Sequence, residues 1–102
     1  MVKVTKERFE GEVLGAETPV LADFHADWCG PCRALRPVLE ELEAAEAGVK
    51  FVSVNVDEER ELAGEYGIAS IPCLLLFRNG AEVGRLTGLR SREELEALLE
   101  EA

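Results

Sequence analysis

Apolar and polar positions follow two different periods along this chain, and the switches between them mark its elements. The run Val20-Leu21-Ala22-Asp23-Phe24-His25-Ala26 is apolar except at Asp23 and His25, which predicts a strand covered on both faces. From Pro31 the period lengthens. Leu35, Val38, Leu39 and Leu42 fall on one helical stripe, Glu40, Glu41, Glu43 and Glu46 make its wet side, and Gly48 ends it. Proline is tolerated in a first helical turn, where its missing N–H has no partner to lose. Pro37 lies inside the same helix, where a proline costs about 3 kcal/mol and is expected to kink it.

Shorter signals fill in the rest. Thr5 is placed to cap a first helix over Lys6 to Leu14, stopped by Gly15. Val49 to Val56 is a β-branched strand, and Asp57 is expected to cap a helix ending at Gly67. Asn79-Gly80 stands between the apolar run Cys73 to Phe77 and the strand-like Glu82 to Thr87, a strong hairpin signal. Ser91 and Glu94 form a capping box ahead of Leu95, Leu98 and Leu99. The order βαβαββα, after a leading strand and helix, predicts an α/β fold with a mixed sheet between helix layers.

Composition narrows the function. A length of 102 residues predicts one domain, spanning 1–102, able to build a core without staples. The net charge of −10 argues against nucleic acid and against anionic membrane surfaces. No apolar run approaches the roughly 18 residues of a membrane span, and Met1 to Gly11 carries charge where a signal peptide would be apolar. A cytoplasmic setting is therefore expected, where structural disulfides are rare. Cys29 and Cys32, two of the three cysteines, then read as redox or metal chemistry.

The segment Trp28-Cys29-Gly30-Pro31-Cys32 lies between a strand end and a helix start. A helix N-terminus has free N–H groups and partial positive charge, so it stabilises a thiolate, the nucleophilic form of cysteine. Cys29 is expected at the cap and exposed. Cys32, about one turn on, is expected to be more buried, with its sulfur in disulfide reach of the first. Cys29 would attack a substrate disulfide, and Cys32 would then resolve the mixed disulfide, freeing reduced substrate.

At these residues the chain resembles the thioredoxin family. The marks are Asp23-Phe24, Ala26, the Trp28 to Cys32 motif, Pro37, Asp57, Gly67-Ile68, Ile71-Pro72, Asn79-Gly80 and Gly88, and they cover essentially the whole sequence. The resemblance implies a central five-stranded mixed sheet flanked by four helices, and a general protein-disulfide reductase. It implies no bound cofactor beyond the Cys29–Cys32 disulfide, with recycling by a thioredoxin reductase and NADPH as distant electron source. It implies oxidised proteins as substrates and a chain acting as a monomer. Gly-Pro between the cysteines resembles the reducing members rather than relatives with histidine there. The family's cis-proline maps onto Pro72, although X–Pro bonds in general are mostly trans. A docking surface of Trp28, Gly30, Pro31, Ser70, Ile71, Pro72, Gly88 and Leu89 follows by the same resemblance, capturing extended peptide by backbone hydrogen bonds and apolar contact.

Asp23 interrupts an apolar strand. It is either a carboxylate reaching solvent or a buried one whose proton affinity is raised by desolvation, able to act as general base for Cys32. The family assigns it the second role. Many members carry a lysine near this position on the next strand, where this chain has Ser53. His25 stands where an aromatic residue is usual and reads as a packed or half-exposed histidine, or as a titrating group near the motif. Cys73 follows Pro72 and reads as a small buried hydrophobe or as a reactive thiol beside the docking surface. Arg33 and Arg36 read as helix surface, and an exposed Arg33 would favour the thiolate only weakly. Two rival functions stay open. His25, Cys29, Cys32 and Cys73 make up a permitted Cys₃His zinc set, although without zinc-finger spacing. A redox-silent interaction module is the other, although it would have no need of two thiols.

Overall fold

The computed structural model describes residues 1–102. Five strands and four α-helices alternate as expected: β1 (Val2–Lys3), α1 (Lys6–Phe9), β2 (Val20–His25), α2 (Gly30–Ala45), β3 (Lys50–Asn55), α3 (Arg60–Glu65), β4 (Cys73–Arg78), β5 (Ala81–Thr87) and α4 (Arg92–Leu99). One sheet holds all the strands, in the order β1-β3-β2-β4-β5. β1, β3 and β2 run parallel, and β4 and β5 are antiparallel additions. Parallel neighbours need crossover helices, which α1 and α2 supply.

The alternation of β2 sorts the core into two layers. Val20, Ala22 and Phe24 face one way, packed with Phe9, Val13, Val54, Leu62 and Phe77. Leu21 faces the other, packed with Leu35, Leu39 and Leu42 of α2 and Leu95, Leu98 and Leu99 of α4. By the same alternation Asp23 and His25 point to the α2 side. β2 reads as a continuous apolar run because both of its faces are covered.

Local details depart from the sequence in physical ways. The first helix changes at Glu10 to a π-helical turn through Leu14, closed by a Gly15 N–H to Glu10 carbonyl bond of 2.7 Å. Thr5 makes no side-chain cap; the Glu59 carboxylate, distant in sequence, accepts the Lys6 N–H instead at 2.8 Å. Asp57 does not cap α3, which starts three residues later. Asn55 takes the free amides of the intervening turn, its Oδ1 accepting from Asp57 and Glu58 at 2.9 and 3.3 Å. α2 starts one residue before Pro31, ends at Ala45 before reaching Gly48, and continues through Pro37.

Three expected devices stand as predicted. Asn79 and Gly80 have φ of 52° and 79°, the left-handed values a two-residue hairpin with primed turn geometry requires. The Ser91–Glu94 capping box is reciprocal, with bonds of 3.2 and 3.1 Å. Gly67, at φ 62°, turns the chain out of α3, and the Ile68 N–H closes back on the Ala63 carbonyl at 3.0 Å.

Candidate active site

Cys29 is the N-cap of α2, in extended conformation, with its Sγ accepting the Cys32 N–H at 3.2 Å. Cys29 and Cys32 are disulfide-bonded, their Cα atoms 5.2 Å apart. The cap position explains both facts. An N-cap side chain folds back over the first turn to satisfy one of its free amides, and that motion carries Sγ towards the residue three positions on.

The expected contrast in exposure is not observed. Cys29 is only 4% exposed and Cys32 5%. The reason is tertiary. Ala26, Val56 and Ile71 pack against the two cysteines, and the Ile71 carbonyl lies 3.9 Å from Cys29 Sγ. The Ile71–Pro72 bond is cis, as the resemblance implied. The Pro72 carbonyl accepts the Gly88 N–H at 2.7 Å, with Gly88 at φ 89°. This chain of contacts joins the motif, the Ile71–Pro72 turn and the Gly88–Leu89 turn into one rim. Trp28 and Leu89 stand out from it, 68% and 56% exposed. Gly30, Pro31 and Ser70 are exposed as well, while Pro72 is buried. Trp28 is held upright by its indole N–H, which donates to Asp57 Oδ2 at 2.8 Å. That role for Asp57 was hidden in the sequence, where the residue looked like a helix cap.

Asp23 is buried, paired in register with Ser53 of β3 and Leu74 of β4. Burial pushes its carboxyl from the ordinary 3.8 up to about 7, with Arg36 pulling the other way. Its Oδ1 has no hydrogen-bond partner. The reading of Asp23 as a buried group of raised proton affinity therefore stands over the solvent-reaching one. Ser53 is buried and neutral, so no strand cation offsets the desolvation.

A cavity of about 140 Å³ brings Asp23, His25 and Cys32 together below the motif, with Asp27, Arg33 and Arg36 around it. His25 is half-buried. Its basicity is lowered first by burial and then by Arg36, with Asp27 opposing. Arg33 also lines this cavity, its guanidinium donating to the Asp27 carbonyl at 2.8 Å. Arg36 is exposed on the helix surface, as read from sequence, and also borders the cavity. The signal for it was its spacing, four residues after Cys32 and so on the same helix face.

Cys73 is buried on the opposite layer, among Phe9, Phe24 and Phe77. Its Sγ lies 3.7 Å from Thr87 Oγ1. The small-hydrophobe reading thus holds over the surface-thiol one. The sheet separates Cys73 from His25, and no three His, Cys, Asp or Glu side chains are grouped to hold a metal ion.

Comparison with known proteins agrees with this geometry. The family model for Thioredoxin matches residues 1–101. The chain is 46% identical over 102 residues to "Thioredoxin C-2" of Corynebacterium nephridii, covering 99% of this chain and 94% of that protein. It is 46% identical over 100 residues to "Thioredoxin" of Chlamydia caviae, covering 97% and 96%. It is 43% identical over 99 residues to "Thioredoxin 1" of Nostoc sp., covering 96% and 92%.

Proposed function

The chain belongs to the thioredoxin family and is a thiol–disulfide oxidoreductase that reduces protein disulfides, and from that premise we propose how its residues divide the work. Cys29 is the attacking sulfur. The observation that carries this is the N-cap position, where Cys29 Sγ accepts the Cys32 N–H at 3.2 Å and lies at the positive end of a 16-residue helix. Both features favour the thiolate. The apolar neighbours oppose it, so the helix terminus is what the first step depends on.

The Cys29 thiolate attacks one sulfur of a substrate disulfide. A Cys29–substrate S–S bond forms, and the other substrate sulfur leaves with the electron pair and takes a proton. Asp23 then accepts the Cys32 proton through the cavity. The Cys32 thiolate attacks Cys29 Sγ, the mixed disulfide breaks, and the second substrate sulfur leaves as a thiol. Two electrons have passed from the dithiol to the substrate.

Extended peptide docks along the rim of Trp28, Gly30, Pro31, Ser70, Ile71, Pro72, Gly88 and Leu89. The exposure of Trp28 and Leu89 supports this, as does a backbone-rich turn beside the sulfurs. The oxidised pair is reset by a thioredoxin reductase drawing on NADPH, so the chain serves as an electron carrier in cytoplasmic redox balance. Residues 1–102 act as one domain and as a monomer. No helix is long and apolar enough to cross a membrane.

A reductase-coupled assay with a disulfide-bonded model protein tests the assignment. Cys29→Ser is expected to abolish turnover. Cys32→Ser is expected to stop at a mixed disulfide on Cys29, visible by mass spectrometry and released by added thiol. Trapping on Cys32 in place of Cys29 would reverse the roles.

A further inference from the structure

The charged groups around the cavity below the motif differ in their freedom. Arg33 is committed to the Asp27 carbonyl. Ser53 of β3 and Leu74 of β4, which flank Asp23 in register, bring no charge. His25 and Asp27 face the same space, and Lys3 and Glu58 act on His25 from β1 and from the turn after β3. Arg36 borders the cavity and has no ion-pair partner. It lies one helical turn beyond Cys32, on the same face. Its charge acts on Asp23 against the effect of burial and also disfavours a charged His25.

The cavity itself suits proton movement. One water needs only about 10–15 Å³ of such space, and about 140 Å³ is present. Asp23 Oδ1 and His25 Nε2 are both without protein partners, and both residues line it.

We propose that Arg36 is a positioning residue for the resolving step, the cation that favours the proton-accepting carboxylate of Asp23 against its burial, at the cavity that Cys32 also lines. The proposal rests on Asp23 being the base for Cys32. The step is unchanged in its balance: the Cys32 proton passes to Asp23, the Cys32 thiolate forms the bond to Cys29 Sγ, and the substrate sulfur leaves with its electron pair. Arg36 makes no hydrogen bond to either sulfur and acts on this step through Asp23. It is solvent-exposed, so its effect is modest and screened by salt.

Two measurements on the same variants test this. One follows the Asp23 carboxyl carbon by NMR through a pH titration of the oxidised protein. The other follows release of a labelled thiol from a mixed disulfide on Cys29 across pH. Arg36→Met is expected to move the Asp23 midpoint and the acid limb of the release profile upward together by roughly half a pH unit. Release near pH 6 then slows about threefold, and the rates converge above pH 8. Arg36→Lys is expected to restore both, and the displacement is expected to shrink at about 1 M salt. An Asp23 midpoint and acid limb that stay in place in Arg36→Met overturn the proposal. Asp23→Asn separates this from failure of the underlying reading. If it slows release while Arg36→Met changes nothing, Arg36 alone is wrong. If Asp23→Asn releases thiol with the wild-type profile, Asp23 is not the base and the role for Arg36 falls with it.

Discussion

Asp23→Ala removes the one buried carboxylate of the sheet, and its effect on stability depends on pH in a calculable way. The folded carboxyl titrates at about 7 against an ordinary 3.8. Between those values the native state holds a proton that the unfolded chain has released, so stability falls as pH rises through this window. Below 3.8 both states are protonated and nothing is lost. Above about 7 the native state carries a desolvated charge. At ~1.4 kcal/mol per pH unit, the gap between 3.8 and about 7 is ~4 kcal/mol. Alanine abolishes that cost and leaves the neutral state little changed, because the side chain borders an existing cavity. The variant is therefore expected to be more stable than wild type by about 3–4 kcal/mol at pH 8 and equal to it near pH 3.5. With a urea m-value of about 1–3 kcal/mol/M, this is a rise of roughly 2 M in midpoint at pH 8. Paired urea titrations of the oxidised proteins at the two pH values measure it. Equal midpoints at pH 8, or a less stable variant there, would refute the burial of a charge whose desolvation outweighs its attraction to Arg36. The same substitution is expected to slow disulfide turnover, so stability and activity move in opposite directions.

Two further outcomes follow from groups near the site. Cys73, buried beside Thr87, is expected to resist alkylation in the native oxidised protein and to react fully once unfolded; mass spectrometry that finds it modified under native conditions would contradict its placement. His25, with its basicity lowered by burial and then by Arg36, is expected to titrate below 6.5 by NMR. It contributes stability that is present above the unfolded value of 6.5 and lost as pH falls through the folded one. His25→Phe should remove that acid-side loss, and an unchanged acid limb of the urea-midpoint profile would count against it.

Much of the fold was legible because its signals are local. Asn79-Gly80 tolerates the left-handed backbone that a two-residue hairpin demands, and Ser91 with Glu94 closes a box within four residues. The two-sided apolar run of β2 announced a central strand, and α2 with Cys29 at its head followed from the stripe and from Pro31. What failed were cues that looked local but were answered from a distance. Thr5 lost its cap to Glu59, and Asp57 was taken by the Trp28 indole. The first helix loosened to a π-turn between Glu10 and Gly15.

The sequence by itself determined the order of strands and helices, the pairing of two cysteines across one helical turn, and the oddity of a carboxylate in an apolar strand. These depend on chain periodicity and on separations of a few residues, which sequence records directly. Only the tertiary structure decided how accessible Cys29 is, because Ile71 covers it from 42 positions away. It alone put Cys73 on the far side of the sheet from His25, and it alone gave Arg36 a place at the cavity facing Asp23. Desolvation and charge act through space, and the distances that set them exist only once β2, β3, β4 and α2 have packed.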